Sequence, residues 1–270
     1  MIPEKTFTKK LQSYLCKLNM ELHPHDHIVP FKESSTGKKR QVSEMFDRIA
    51  NRYDFMNRFL SAGIDKTWRK KAIKKLQKDD PKLILDVATG TADMALIASR
   101  LLDPKKITGI DISEEMLNIG RKKVEKERLK HIIELQQGDS ETINYGENTF
   151  DAVMVAFGVR NFENLEKGLK NMLRVLKPGG MIVILEFSKP RLKAVRSLYN
   201  LYMGIVAPQV ARWFNQNKEA YIYLCESANA FPDNRQFVNI LNKVGFSDTR
   251  CKSLSLGICS IYTGRKERSL

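Results

Sequence analysis

The segment Asp86-Val87-Ala88-Thr89-Gly90-Thr91 has the composition of a loop that binds a ligand through its backbone. Gly90 allows another molecule to approach the main chain closely, because glycine has no Cβ. The residues after Thr91 have a helical pattern, and the free N–H groups at a helix N-terminus attract polar ligands. A dinucleotide-binding loop needs Gly-x-Gly-x-x-Gly, but Ala92 and Ala95 stand at the second and third glycine positions. We therefore expect Asp86, Gly90 and Thr91 to bind a ligand that lacks a pyrophosphate.

Further polar positions follow the next two apolar runs. Asp111 comes about 20 residues after Thr91, a spacing at which a carboxylate accepts hydrogen bonds from both ribose hydroxyls. Asp139 and Ser140 follow the next run, where a carboxylate can accept a hydrogen bond from the amino group of an adenine. Each signal is weak alone, since an aspartate at such a position also caps turns and helices. Together they predict a site for a nucleoside without a diphosphate.

The elements that would position these side chains alternate between short apolar runs and helical patterns. A helix is predicted over 165–176, ended by Lys177-Pro178-Gly179-Gly180, and a last helix over 233–244. Strands are predicted over 83–88, 106–111, 132–136, 150–157, 181–187, 246–252 and 258–263. This order predicts an α/β fold with a Rossmann-like, doubly wound, mostly parallel seven-stranded sheet, preceded by N-terminal helices. Ligands of such sheets bind beyond the carboxyl ends of the strands, where the polar positions lie.

The length of 270 residues allows one large domain or a domain with appendages, at about 150 residues per domain. We expect a flexible basic N-terminal arm over 1–40 and one domain over 41–270, with helices over 41–80 and a lid or insertion over 191–231. Asp65 is expected to cap a helix that runs to about residue 77. His23, His25 and His27 alternate and could share a metal, but no cysteine or carboxylate cluster completes the set. A polar tail is therefore favoured, and no metal site is predicted.

Basic residues outnumber acidic ones, 46 to 31, for a net charge of +15. The partner should be anionic: a nucleic acid, a lipid surface or an acidic substrate. No uncharged apolar run reaches the roughly 18 residues of a membrane span, and Met1 to Lys10 is too polar for a signal peptide, so we expect a cytoplasmic protein. A solvated basic face is expected from Arg69, Lys70, Lys71, Lys74, Lys75 and Lys78.

Three more motifs narrow the family: Arg52-Tyr53-Asp54-Phe55-Met56-Asn57, Phe157-Gly158-Val159-Arg160-Asn161 and Leu185-Glu186-Phe187-Ser188-Lys189-Pro190. With the loop at Gly90 and with Asp111, they resemble the class I S-adenosylmethionine (SAM)-dependent methyltransferases. Within that class, residues 41 to about 265 are similar to the ubiquinone/menaquinone biosynthesis C-methyltransferase family. Thr89 and Ala92 stand where most relatives carry glycine.

The resemblance implies that SAM is the cofactor, bound by Asp86, Gly90, Thr91, Asp111, Asp139 and Ser140. It also implies methylation of a ring carbon of a polyprenylated quinol, bordered by Tyr53, Arg160 and Asn161. A guanidinium with a pKa above about 12 is a poor base, so we expect Arg160 to stabilise a phenolate while Asn161 and Tyr53 orient a water that takes the proton. The alternative for Arg160 is an ion pair that caps the helix beginning near Glu163.

The segments at 38–47 and 64–70 look more like menaquinone-only relatives, which favours conversion of demethylmenaquinol to menaquinol over methylation of a ubiquinone-pathway benzoquinol. A nucleic-acid methyltransferase shares the fold and suits the charge, but its usual Asn-Pro-Pro-Tyr or Pro-Cys loops are absent. A non-catalytic binding module would need a damaged cofactor loop.

Expected partners are a polyprenyl quinol and a transient anionic membrane surface at the inner face, with no nucleic acid. A homodimer is compatible with the sequence, which does not decide the oligomeric state. An apolar helical stripe within the insertion would cover the quinol pocket, touch the membrane or belong to the core; its members are Leu192, Val195, Tyr199, Tyr202 and Val206.

Overall fold

The fold is a seven-stranded sheet with helices on both faces, seen in a computed structural model that describes residues 23–61, 63–197, 201 and 218–268. The strand order is β3-β2-β1-β4-β5-β7-β6, and β7 alone runs antiparallel to its neighbours. The strands are β1 Leu83–Val87, β2 Lys106–Asp111, β3 Ile133–Gln137, β4 Phe150–Ala156, β5 Leu176–Phe187, β6 Ser247–Leu254 and β7 Cys259–Arg265. The predicted doubly wound, mostly parallel sheet is confirmed.

The helices form one layer on each face of the sheet and a third group that packs around its own apolar cluster. They are α1 Lys38–Leu60, α2 Asp65–Ile73, α3 Asp93–Leu101, α4 Glu114–Lys126, α5 Leu165–Val175, α6 Lys218–Ala230 and α7 Arg235–Val244. Residues of α2, α3 and α4 fill the core on one face of the sheet, and residues of α5 and α7 fill the core on the other. The central strands are buried on both faces, which explains why they are near-continuous apolar runs. A third apolar cluster joins α1 to α4 and α6.

Most element boundaries differ from the sequence prediction by one to five residues, and those around α2 and α5 have a physical reason. Ile64, not Asp65, is the N-cap of α2; Asp65 is its first residue and accepts a hydrogen bond from Ser61 Oγ at 3.1 Å. The helix ends at Ile73, and a separate 3-10 turn follows at Gln77–Asp79. Helix α5 stops one residue earlier than predicted, and the Pro-Gly-Gly segment after it is already the beginning of β5. Chain-breaking residues end a helix, but they can also enter a strand where pairing is irregular, as it is here.

The described part of the N-terminal segment, from His23 onward, is folded against the domain, whereas a flexible arm was expected over 1–40. Pro24–His27 forms a 3-10 turn, and His25 is fully buried with its ring 5.3 Å from that of Phe231. Burial is the main cause that lowers the pKa of His25 to about 2, so the ring is neutral. Within the described residues no group of three His, Cys, Asp or Glu side chains could hold a metal. Residues 1–22 and most of the stripe at 192–206 lie outside the described residues.

No helix in the described ranges is long and apolar enough to cross a membrane.

The loops after β1 and β4 touch at Gly158, and this contact generates a stability prediction. A Cβ on Gly158 would lie 2.6 Å from the Cβ of Ala88, a side chain that cannot rotate away. We expect Gly158→Ala to lower the free energy of unfolding by about 1 to 3 kcal/mol, the usual cost of overpacking, in urea denaturation. Gly146→Ala is the control, because its Cβ would have no neighbour closer than 3.7 Å. Equal stability of the two variants would contradict the prediction.

Candidate active site

A cleft of about 640 Å³, including its open mouth, lies at the carboxyl ends of β1, β2 and β4, under helix α1. Its walls come from five places in the chain: one face of α1 and the loops after β1, β2, β3 and β4. The lining residues include Lys39, Val42, Phe46, Tyr53, Gly90, Asp111, Met116, Asp139, Ser140, Phe157 and Asn161. Of the nine residues that the sequence singled out, Tyr53, Gly90, Asp111, Asp139, Ser140 and Asn161 line the cleft.

The loop after β1 has a tightly folded backbone. Ala88, Gly90 and Ala92 have φ of 52°, 55° and 65°, the left-handed region that favours glycine. Ala92 therefore adopts, at some cost in strain, the conformation that glycine takes without one. No atom lies within 4 Å of where a Cβ of Gly90 would stand, so the backbone there is open to a ligand.

Asp86 supports this loop from beneath and does not line the cleft. Its carboxylate is 1% exposed and accepts a hydrogen bond from Thr89 Oγ1 at 2.6 Å. Burial raises the pKa of Asp86 to about 7, because desolvation disfavours the charged form. Thr89 thus has its own role in shaping the loop.

Thr91 also stands behind the cleft, in a polar network that fastens helix α1 to the loop. Its hydroxyl donates to Asp54 Oδ1 at 2.6 Å and accepts from Lys123 Nζ at 2.9 Å. Lys123 Nζ also lies 2.5 Å from Asp54 Oδ2 and 2.7 Å from Asp93 Oδ1. Because Asp54 follows Tyr53 in α1, the network holds Tyr53 over the cleft.

Asp111 is the polar centre of the cleft floor. Its two carboxylate oxygens accept hydrogen bonds from the N–H groups of Gly90 and Ser113, at 2.8 and 2.9 Å. Each oxygen keeps a second lone pair, which is what a ribose diol requires. Burial raises the pKa of Asp111 to about 6, although these backbone donors lower it. Ser113 caps α4, as the sequence indicates, accepting from the Met116 N–H at 3.3 Å.

Asp139 is paired with a residue that sequence reasoning missed. Lys39 Nζ lies 2.6 Å from Asp139 Oδ2 and 3.5 Å from Glu141 Oε2, so it connects α1 to the loop after β3. The other oxygen of Asp139 accepts from the Glu141 N–H at 2.9 Å. Ser140 is 8% exposed beside it. A helical spacing in the sequence could have identified this wall of the cleft, because one face of α1 carries Lys39, Val42, Phe46 and Tyr53.

Arg160 lies directly behind the cleft, and its side chain is almost fully buried. Its Nη1 donates to the Phe157 carbonyl oxygen and to Glu186 Oε1, both at 2.7 Å. The predicted alternative, an ion pair capping the next helix, is not what the structure has: Asn164 caps α5, and the partner of Arg160 is Glu186 at the end of β5. Burial is the largest single influence and opposes the charge of Arg160, but Glu186, Tyr53 and Tyr223 together raise the pKa of the guanidinium.

Two phenols complete this cluster. Tyr223, from α6, donates from its hydroxyl to Asn161 Oδ1 at 3.2 Å; nothing in the sequence pattern marked it. Tyr53 packs edge-on against Phe46 and lies close enough to Arg160 for the two to interact electrostatically. Burial raises the pKa of both tyrosines, so both stay protonated at neutral pH. The folded chain therefore brings Tyr53, Arg160, Asn161, Glu186 and Tyr223 together beside the nucleoside cleft.

The cleft matches the needs of SAM. An open backbone stands at Gly90, a carboxylate with free lone pairs at Asp111, and apolar walls at Val42, Met116 and Phe162 for a ring. Ala92 and Ala95 stand where a pyrophosphate-binding loop needs glycine, which disfavours a dinucleotide.

Comparison with known proteins gives the same assignment. Residues 34–266 match the model of the ubiE/COQ5 methyltransferase family. The chain is 44% identical over 245 residues to demethylmenaquinone methyltransferase of Bacteroides fragilis, covering 90% of this chain and 99% of the relative. It is 46% identical over 237 residues to ubiquinone/menaquinone biosynthesis C-methyltransferase UbiE of Geotalea daltonii, covering 87% of this chain and 100% of that protein.

Among solved structures, the fold is similar to a SAM-dependent methyltransferase of Thermotoga maritima, with a TM-score of 0.59, 18% identity, and coverage of 83% of this chain and 99% of that one. A putative SAM-dependent methyltransferase of Methanococcus maripaludis has the same TM-score and identity, with coverage of 89% and 99%. These solved structures support the class of fold alone, whereas the two sequence relatives share far more identical residues with this chain. The chain thus belongs to the ubiE/COQ5 methyltransferase family of SAM-dependent enzymes.

Proposed function

We propose that the protein methylates a ring carbon of a polyprenylated quinol, converting demethylmenaquinol to menaquinol. The observation that carries the proposal is the joint position of Tyr53 and Asn161 on the wall of the cofactor cleft, with Arg160 directly behind them. The relatives named demethylmenaquinone methyltransferase support the naphthoquinol over the benzoquinol.

The reaction requires a quinol hydroxyl to lose its proton, so that the neighbouring ring carbon becomes nucleophilic. Bound SAM would supply the methyl group for in-line transfer to that carbon and leave as S-adenosylhomocysteine, and the hydrogen on that ring carbon is then lost as a proton. The protein's part is to hold the ring, stabilise negative charge on the oxygen and accept protons. Arg160 stays charged and cannot act as the base. Its Nε is buried and has no hydrogen-bond partner among the described residues, so one donor is available to a phenolate or to a water beside it.

Asn161 and Tyr53 have the complementary role. The Asn161 amide oxygen accepts from the Tyr223 hydroxyl, and the amide nitrogen donates to the Phe157 carbonyl oxygen at 3.4 Å. The second N–H of that nitrogen is then the donor for a ligand or water. Tyr53 stays protonated and can donate or accept. We propose that these two side chains orient the water that accepts the proton.

The direct test is turnover by the purified protein of demethylmenaquinol with methyl-labelled SAM, analysed by mass spectrometry. The expected product carries the label on the naphthoquinol ring. Preferential labelling of a demethylated benzoquinol would assign the ubiquinone-type reaction instead. Labelling of RNA or DNA with no labelled quinol would overturn the proposal.

Cofactor binding should depend on pH through Asp111. Its carboxylate must be ionised to accept from both ribose hydroxyls, and its pKa is about 6. Affinity for S-adenosylhomocysteine should therefore fall as pH decreases below about 6, by up to roughly tenfold per unit, in titration calorimetry. A change of this affinity with pH near pH 7 would instead report titration of Asp86, whose pKa is about 7.

Asp111→Ala should weaken this affinity at pH 8 by about 1.5 to 3 kcal/mol, the scale of hydrogen bonds to a charged group. Asp111→Asn should flatten the pH dependence below 6. Asp151→Asn is the control: this carboxylate pairs with Lys177 and binds the N–H groups of Lys82 and Leu83 at the opposite edge of the sheet. Unchanged binding in Asp111→Ala would defeat the assignment.

Arg160→Ala should lower kcat by about 100-fold or more while leaving S-adenosylhomocysteine affinity nearly unchanged, as expected when a charge-stabilising donor is removed. Arg160→Lys should restore only part of the rate, because an ammonium lacks the planar fork. Arg174→Ala is the control; Arg174 donates to the carbonyl oxygens of Ile143 and Tyr145 and does not line the cleft. A folded Arg160→Ala enzyme with normal turnover would make Arg160 structural.

We further propose that the protein works at the cytoplasmic face of the membrane, where a polyprenyl substrate resides. The basic surface around α2 consists of exposed Lys66, Lys70, Lys71, Lys74, Lys75 and Lys78. Arg69, expected to join it, is 6% exposed, pairs with Asp65 and lies 5.1 Å over the ring of Phe157. Arg69 is therefore part of the core and not of the basic surface.

Exposed leucines adjoin this basic surface. Leu256 is 71% exposed in the turn between β6 and β7, and Leu192 is 63% exposed. Trp68 of α2 donates from its indole to Ser255 Oγ at 2.8 Å, and Ser188 donates to the Gly257 carbonyl oxygen at 2.8 Å. The turn is therefore fastened both to α2 and to the chain just before Leu192. Lysines beside apolar side chains suit an anionic lipid surface.

Lys70→Glu/Lys74→Glu should weaken sedimentation with anionic vesicles by roughly 30-fold or more, at about 1 kcal/mol per lysine, and wild-type binding should fall as salt rises. Leu192→Ser/Leu256→Ser should weaken it as well. Lys122→Glu/Lys126→Glu, which changes the net charge equally on exposed positions of α4, is the control and should bind like the wild type. Equal loss in both lysine pairs would show that total charge, and not this surface, is responsible.

A further inference from the structure

We infer that Glu186 is a positioning residue for Arg160, holding the guanidinium so that its Nε faces the reacting quinol oxygen. The inference rests on the proposed function and extends it to a residue that does not itself line the cleft.

The geometry is that of a clamp. Glu186 is the last residue but one of β5 and is completely buried. Its Oε1 accepts from Arg160 Nη1 at 2.7 Å and from the Phe187 N–H at 2.9 Å, so the carboxylate is itself fixed by the strand. The Phe157 carbonyl oxygen binds the same Nη1, and the Phe187 ring lies 5.4 Å from the centre of the guanidinium. Three contacts from two strand ends therefore fix one end of the Arg160 side chain.

The pairing of Arg160 with Glu186 leaves donor and acceptor capacity unused. A bidentate contact would satisfy two nitrogens and both oxygens, and such contacts are frequent for arginine. Here one nitrogen meets one oxygen, while Arg160 Nε and Glu186 Oε2 are buried without a hydrogen-bond partner among the described residues. Unpaired buried polar atoms cost stability, and these two belong to the cluster that contains Tyr53 and Tyr223. We therefore assign Arg160 Nε as the donor to the quinol oxygen, and a water as the donor to Glu186 Oε2.

Stability does not explain the pair either. Burying two charges costs about as much as their attraction returns, and apolar residues of similar volume often serve a core equally well. The pair joins the Phe-Gly-x-Arg-Asn loop after β4 to the Leu-Glu-Phe-Ser-Lys-Pro end of β5 and lies beside Tyr53 and Tyr223. The counter-charge keeps Arg160 oriented and prevents its full positive charge from acting on every nearby phenol.

A double-mutant cycle separates positioning from bulk structure. Glu186→Gln keeps the shape of the side chain and removes its charge. We expect kcat to fall about 10- to 100-fold with labelled SAM and demethylmenaquinol, while the KM for SAM changes less than about twofold. Because Glu186 acts through Arg160, adding Glu186→Gln to Arg160→Ala should cost nothing further. Glu166→Gln is the control: Glu166 is equally buried and pairs with Lys243, but it does not contact Arg160.

The pH profile adds a readout that a structural role would not move. Without Glu186 the charge of Arg160 is uncompensated, so the rising limb of kcat, which reports ionisation of the bound quinol, should shift to lower pH. The other groups facing the pair are Tyr53, Tyr223, Arg69 and Cys259; burial raises the pKa of both tyrosines and of the cysteine. The kcat profile should be measured from about pH 7.5 to about 10 with saturating SAM. Asp111, whose pKa is about 6, stays ionised throughout this range and does not contribute to the profile.

The outcomes are distinct. A Glu186→Gln enzyme with wild-type turnover, or one whose loss is as large in the Arg160→Ala background as alone, overturns the inference. Glu186→Gln could also lower the rate only because less of the protein is folded, with no shift in the rising limb of the kcat–pH profile. That result would make Glu186 structural and would overturn the inference. If the wild-type protein itself methylates no quinol, the proposed function fails before the cycle begins.

Discussion

The carboxylate of Asp111 joins the two loops on which the cleft depends. One oxygen holds the N–H of Gly90 after β1, and the other holds the N–H of Ser113 at the beginning of α4. In a parallel sheet these loops leave adjacent strands at the same edge, and nothing in the strand ladder fixes their tips. A buried carboxylate with two backbone donors does so, and desolvation costs are partly offset by these hydrogen bonds. The same group can then accept a ribose, because each oxygen has one lone pair left.

Helix α1 completes the cleft through polar contacts to the loops, on top of its apolar packing. Ser113 Oγ donates to Asp47, Ser43 donates to the Ile112 carbonyl oxygen, and Thr91 donates to Asp54. Lys39 reaches Asp139 from the first turn of the same helix. The helix that carries Tyr53 is thus attached to the floor at several points along its length. The wall of the cleft and the cluster around Arg160 are consequently coupled, since both include residues of α1.

Charges concentrate where the loops meet. Asp86, Asp111, Arg160 and Glu186 are all nearly buried within this edge of the sheet, and burial raises the pKa of each of the three acids. Interiors tolerate such groups only when paired or hydrogen-bonded, and these are held by Thr89, backbone N–H groups and one another. Perturbed acids grouped at a cleft are typical of functional sites. At the opposite edge of the sheet, at the amino ends of the strands, Lys82 forms an exposed ion pair with Asp103. Such a surface pair contributes little to the stability of the fold.

The sequence by itself determined the fold class, the strand order along the chain, and six residues of the cleft wall, because apolar periodicity and the spacing of loop-end carboxylates are local properties. It also determined the family, through short motifs. It could not show that Asp86 and Thr91 support the loop from behind, since a side chain's direction depends on the backbone twist after β1. Nor could it pair Arg160 with Glu186, 26 residues away, or bring in Lys39 and Tyr223. Those contacts join strand ends and helices that are distant in the chain, and only the packing of α1 and α6 over the edge of the sheet decided them.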